Sequence, residues 1–137
     1  MPTAECIFCK IVAGEIPSTK IDEDAATYTF LDINPATPGH LLVIPKRHSA
    51  MVLETAPDDL SAVVLTTQRM AGLVTERLGA EGVNILNSCG SVAWQTVPHL
   101  HFHVIPRYTD DRDGMRLPWT PKPADPADLG AIAAQLR

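Results

Sequence analysis

Three of the five histidines in this 137-residue chain fall within five positions, in the run Pro98-His99-Leu100-His101-Phe102-His103-Val104-Ile105-Pro106-Arg107. Side chains on a strand alternate between its two faces. An extended run therefore puts His99, His101 and His103 on one face, at steps of roughly 6.5–7 Å. Leu100, Phe102 and Val104 turn to the other face, toward a core. A solvated strand with incidental polar residues seldom chooses histidine repeatedly. Two chemistries suit the pattern. His-x-His on a strand fits a zinc or iron site. Imidazole is also a nucleophile near neutral pH, and neighbouring groups can orient it and handle protons.

A second chemical feature is Cys6-x-x-Cys9 near the N-terminus. Taken alone it reads as metal, redox or chance. The redox reading expects a thioredoxin-like βαβ context, which the surrounding pattern lacks. Cys89 reads as a small buried residue rather than a second nucleophile.

These residues need elements to hold them. Residues 6–13 form a short helix closed by Gly14. Residues 26–31 and 40–44 read as strands separated by the turn signals Asn34-Pro35 and Pro38-Gly39. The clear helix is Pro57–Leu78, with Leu60, Val63, Val64, Thr67, Ala71, Val74 and Leu78 on one face. Thr55 with Asp58 resembles a capping box, and Gly79 is placed to end the helix. Met70 and Leu73 lie off a minimal core stripe and offer extra apolar surface. Residues 83–87 and 99–105 complete a strand-strand-helix-strand-strand order. That order indicates an α+β domain with an antiparallel sheet on one side of the helix. Residues 111–137 read as a proline-rich tail. A short terminal helix follows, with Asp125 as N-cap, Pro126 at its first position, and Leu129, Ile132 and Leu136 on one face.

Composition narrows the function. Lys+Arg is 11 and Asp+Glu is 16, so the net charge is -5. That argues against binding a nucleic acid polymer, which needs a basic surface, but leaves room for a small phosphate ligand. Hydrophobic residues are 45% of the chain, enough for one packed domain. No apolar run approaches the roughly 20 residues of a membrane span. Glu5 and the lack of a long apolar stretch argue against a signal peptide, so the expectation is a cytoplasmic protein with no membrane contact.

The histidine run resembles the signature of the histidine triad (HIT) family, His-φ-His-φ-His-φ-φ with φ apolar, and positions 99–105 match it without a gap. The likeness extends to Ile7-Phe8-Cys9-Lys10-Ile11-Val12, Gly14-Glu15-Ile16-Pro17, Phe30-Leu31-Asp32-Ile33, Gly39-His40-Leu41-Leu42-Val43-Ile44-Pro45-Lys46, and Asn87 followed by Gln95-Thr96-Val97. These look like the Hint branch, in its zinc-containing bacterial form. The resemblance implies a HIT domain over 1–110, with a five-stranded antiparallel sheet and one long helix. It also implies a homodimer that joins two sheets into ten strands.

The resemblance further implies a purine nucleoside phosphoramidase or nucleotide hydrolase. His101 would attack the α-phosphorus and form a nucleotidyl-histidine, which water then hydrolyses. His103, His40, Gln95 and Thr96 would serve the phosphoryl group. Ile7, Phe8, Ile11, Phe30 and Ile33 would hold the base, Asp32 the ribose hydroxyls, and Asn87 would sit near the phosphate. Cys6, Cys9, His48 and His99 would bind a structural zinc, a closed site with no open position for water. Two departures stand out. Thr96 replaces the commoner serine and keeps the hydroxyl, and Trp94 stands where a glycine usually precedes the glutamine. The bulky Trp94 leaves the leaving-group preference open. Two alternatives stand beside the phosphoramidase: hydrolysis or phosphorolysis of dinucleoside polyphosphates, and a nucleotide-binding regulatory module with little turnover.

Overall fold

The computed structural model describes residues 5–111 and 115–137. Its elements are α1 (Ile7–Val12), β1 (Lys20–Glu23), β2 (Thr27–Leu31), β3 (Leu41–Pro45), α2 (Pro57–Leu78), β4 (Gly82–Leu86), β5 (Phe102–Arg107) and α3 (Pro126–Leu136). The sheet has five strands in the order β1-β2-β3-β5-β4. Every neighbouring pair is antiparallel.

β3 is buried along its whole length, which explains its unbroken apolar run. It lies in the middle of the sheet, and its alternate residues serve two different cores. Leu41 and Val43 pack with Val63, Met70 and Val74 of α2, together with Leu100 and Val104. Leu42 and Ile44 pack with Phe8, Cys9 and Ile11 of α1, and with Tyr28 and Phe30 of β2. The sheet thus carries a long helix over one face and a short one over the other.

The bounds of α2 are those read from its periodicity. Its start differs. Ala56 is the N-cap and makes no side-chain bond, while Pro57 opens the helix. Thr55 does not build a capping box, because its hydroxyl donates to the Met51 carbonyl at 2.8 Å and also pairs with Ser49. Asp58 and Asp59 still favour this end through the helix dipole. Gly79 closes the helix at φ 69, in the left-handed region. The packed stripe is shifted from the expected one. Val64 and Leu78 are about half exposed, whereas Met70 is core at 3% exposure.

Two strand boundaries also differ. β1 is a four-residue edge strand with a register shift between Lys20 and Asp22. It is too short and charged to register as a strand by pattern alone. β5 begins only at Phe102, so His99 and His101 precede the regular ladder. That approach is held elsewhere, with the Leu100 N–H donating to the Ser49 carbonyl at 2.7 Å. The Pro38-Gly39 turn passes close to the end of α2. Gly39 has φ +90, and a Cβ there would meet Leu78 Cδ1 at 2.4 Å.

α3 forms as expected, with the Asp125 carboxylate accepting from the Ala127 N–H. Its apolar stripe of Leu129, Ile132 and Leu136 is more than half exposed. Among the described residues, no helix is long and apolar enough to cross a membrane.

Candidate functional site

The candidate residues gather on the α1 face of the sheet. Phe8 of α1 stands edge-on to Phe30 of β2, with ring centroids 5.5 Å apart. It also meets the ring of His101 edge-on at 5.2 Å. Beside these rings is a cavity of about 300 Å³. Ile7, Phe8, Ile11, Phe30, Asp32 and Ile33 line one side, and Thr96, His101 and His103 another. Ile33 reaches only the rim, at 88% exposure.

His101 is buried, and its Nδ1 lies 2.7 Å from the His99 carbonyl. A carbonyl only accepts, so the neutral ring carries its proton on Nδ1. Nε2 then holds a lone pair. Burial is the largest influence on this ring and pushes its pKa below the ordinary value, so it stays neutral near pH 7. The carbonyl bond and the Asp32 carboxylate pull the other way. An oriented, uncharged imidazole with an open nitrogen can act as a nucleophile.

The ring of His103 lies 5.1 Å from that of His101. Its Nδ1 is 2.9 Å from Nε2 of His40, which is itself buried. Burial, followed by the neighbouring His101 and His40, pushes the His103 pKa down to about 4. Asp32 Oδ1 accepts from the Asn34 N–H at 2.8 Å, and Oδ2 lies 3.6 Å from His40 Nε2.

Two expected contributors are hydrogen-bonded within the protein, at the Gln95 side chain and at Asn87. The Gln95 amide nitrogen donates to the carbonyls of Ala50 and Val97, and its amide oxygen accepts from the Gly90 N–H. It stitches three loop segments together just ahead of the histidine run. Asn87 donates to the His101 carbonyl at 3.0 Å, so it supports the backbone of that residue. Between these, Trp94 holds φ 77 and is 63% exposed. Glycine adopts that conformation freely and tryptophan does not, so the hydrogen-bonded loop around Gln95 must hold it there.

The second cluster lies at the other end of the histidine run. Ligand atoms of Cys6, Cys9, His48 and His99 all lie within 4.8 Å of one another. Cys6 Sγ and His99 Nδ1 are 3.3 Å apart, Cys9 Sγ and His48 Nδ1 are 3.3 Å, and the two Nδ1 atoms are 3.2 Å. A tetrahedron with zinc–sulfur near 2.3 Å and zinc–nitrogen near 2.0 Å has edges of roughly 3.3–3.7 Å. His99 Nε2 donates to the Pro45 carbonyl at 2.9 Å, which leaves Nδ1 bare toward the thiols. That is the usual arrangement of a ligating histidine. Mainly through burial, the ring's pKa is pushed down to about 4, so it is neutral as a ligand must be. The four residues fit a zinc ion.

Supporting residues escaped the sequence reading. Thr37 donates to the Pro106 carbonyl at 2.6 Å, and the Ala36 N–H donates to His40 Nδ1 at 3.0 Å. Their sequence signal is only that of a proline-rich turn. A larger cavity, about 890 Å³, lies between α2 and the first three strands, among Ile21, Leu31, Leu73, Leu78 and Tyr108. Among the described residues that line it there is no histidine or cysteine.

Comparison with known proteins agrees with this layout. A family model described as the HIT domain matches residues 13–110. An adenosine 5'-monophosphoramidase of Candida albicans is 40% identical over 139 residues, covering 98% of this chain and 90% of its own length. One from Schizosaccharomyces pombe is 37% identical, covering 96% of this chain and 95% of its own length. A solved structure from Streptococcus mutans superposes with a TM-score of 0.91 at 37% identity, covering 98% of this chain and 84% of that one. A zinc-bound histidine triad protein from Mycobacterium smegmatis gives a TM-score of 0.76 at 39% identity, covering 96% and 95%.

Proposed function

The chain belongs to the HIT family, and on that premise we propose that it is a nucleotide hydrolase of the adenosine 5'-monophosphoramidase kind. The observation that carries the reading is the open Nε2 of His101, beside a cavity whose other walls fit a nucleoside.

In this mechanism His101 Nε2 attacks the α-phosphorus of a purine nucleoside phosphoramidate. A phosphorus–nitrogen bond forms to His101 Nε2 as the bond to the leaving amine breaks, and the amine takes its proton from solvent water as it departs. Water then attacks the same phosphorus, releases the nucleoside monophosphate and returns the histidine. Division into two displacements makes each step easier than one direct attack by water. His103 and the Thr96 hydroxyl face the phosphoryl group, and His40 backs His103. Phe8, Phe30, Ile7 and Ile11 hold the base, Ile33 covers it from the rim, and Asp32 accepts from the ribose hydroxyls. Gln95 and Asn87 act through the backbone that they position, rather than by touching phosphate.

Cys6, Cys9, His48 and His99 would hold a structural zinc. It would supply no chemistry to the reaction and would tie α1 to the strand that carries His101. Support comes from the donor geometry and from the zinc-bound relative. The same reading takes residues 1–110 as the catalytic domain and the rest as a tail. It takes the working form as a cytoplasmic homodimer, in keeping with a thiol ligand set that needs reduced cysteines.

The test compares wild type with His101→Ala on an adenosine phosphoramidate, with AMP binding measured in both. The expected result is a loss of turnover of about 10³-fold or more with binding retained. A folded wild type that binds AMP without cleaving the phosphoramidate would overturn the assignment.

A further inference from the structure

The hydrogen bonds behind His103 run in one direction, and their source is a backbone amide. The Ala36 N–H points at His40 Nδ1 from 3.0 Å. An amide N–H only donates, so His40 Nδ1 is the bare nitrogen and the ring proton sits on Nε2. The Asp32 carboxylate, 3.6 Å from that Nε2, favours the proton there too. His40 Nε2 is 2.9 Å from His103 Nδ1, and only one proton fits between two ring nitrogens. His40 therefore donates and His103 Nδ1 accepts. The proton of neutral His103 is left on its far nitrogen, Nε2. His101, two residues earlier, is set the opposite way by the His99 carbonyl.

The turn that supplies the amide is itself anchored. Thr37 is 4% exposed and its hydroxyl donates to the Pro106 carbonyl of β5. The Thr37 carbonyl accepts from the His40 N–H, and the His40 carbonyl from the Asp32 N–H. The turn between β2 and β3 is thus tied to the same strand that carries His103.

We propose that residues 36–40 are a tautomer clamp: Thr37 fixes the turn to β5, and the Ala36 N–H, through His40, makes His103 a hydrogen-bond donor at Nε2. Thr37 and Ala36 are positioning residues, and neither touches the substrate. The clamp's value for chemistry rests on the phosphoramidase reading. A donor at His103 Nε2 can hold a phosphoryl oxygen or the departing group, whereas the other tautomer would turn a lone pair toward those oxygens. Reversing the chain would set two donors, the Ala36 N–H and a proton on His40 Nδ1, against each other across 3.0 Å.

The clamp also separates the two clusters that could take a metal. Asp32, His40 and His103 bring ligand atoms within 4.8 Å, as the zinc set does. A carbonyl takes the far proton of His99 and bares the nitrogen that faces the thiols. An amide does the reverse to His40, leaving a proton on the nitrogen that a cation would need.

The test is a two-bond proton–nitrogen NMR spectrum of the histidine rings in the ¹⁵N-labelled full chain, near neutral pH and without substrate. The expected pattern has His103 protonated on Nε2 and His101 on Nδ1. Thr37→Val keeps the volume and removes the donor. It should mix the His103 tautomers and lower kcat roughly tenfold with KM little changed, and Thr37→Ser should restore both. Wild-type His103 protonated on Nδ1 would overturn the clamp. So would a folded Thr37→Val whose His103 signals match the wild type. If Thr37→Val does not fold, the wild-type spectrum alone decides. A chain inactive on phosphoramidates but with the expected spectrum would overturn the function and leave the clamp standing.

Discussion

The two faces of the sheet solve different problems with the same strands. On one face α2 presents 22 residues and an apolar core of Val63, Met70 and Val74 against Leu41, Val43 and Val104. On the other, α1 has six residues, far too few for a helix to hold by itself. Its core holds thiols and touches imidazoles, and its contacts are arranged around a cavity. The difference teaches where stability and chemistry are kept. The long helix is packed through apolar side chains, while the short one brings Cys6 and Cys9 against His48 and His99.

The sharpest way to break this comparison is to challenge the zinc site proposed above. Chelation, or Cys9→Ala, should release α1 and weaken nucleotide binding at least about tenfold. Hydrogen exchange should rise in residues 6–12 while α2 keeps its protection. Equal loss of protection in both helices would mean that the faces are not separable. The converse experiment is Met70→Ala. It should lower global stability by about 2–5 kcal/mol in urea unfolding, with little change in KM for the phosphoramidate. Gly39→Ala disturbs the turn where it passes the end of α2. Its positive φ and the crowding against Leu78 predict a smaller loss, about 1–3 kcal/mol.

The smallest effect is a pH slope. His103 takes up a proton near 6.5 when unfolded and near 4 when folded. Between these values the unfolded chain binds more protons, so stability falls as pH drops through that window. Thermal unfolding of His103→Asn should show a shallower acid slope than wild type, and matching slopes would refute the assignment.

What could be read from sequence follows the same division. α2 and α3 were legible to their ends because helical periodicity, Pro at the first turn and Gly79 are local signals. The Cys6, Cys9, His48, His99 cluster and the cavity lining came from motif likeness; the structure gathers the four cluster residues, and around the cavity it gathers all the expected lining residues except Asn87, which bonds the His101 carbonyl. What escaped is non-local. Gln95 looked available to a phosphate because its partners Ala50, Gly90 and Val97 are backbone groups that only the fold delivers. Thr37 looked like an ordinary turn residue because its acceptor is on β5. Thr55 failed as a cap because Met51 and Ser49 had already engaged its hydroxyl.

The strand order has a consequence in time as well as in space. β3 pairs with its sequence neighbour β2 on one side and on the other with β5, so that Leu41 meets Val104 across most of the domain. Contacts that close so long a loop form late in folding. During synthesis the ribosome releases Asp32, His40 and both N-terminal cysteines well before His99, His101 and His103. A nascent chain therefore carries Cys6, Cys9 and His48 of one cluster, and Asp32 with His40 of the other, before their last members emerge. Docking of the final strand then completes both clusters in one event, with His99 joining the two cysteines and His103 joining His40.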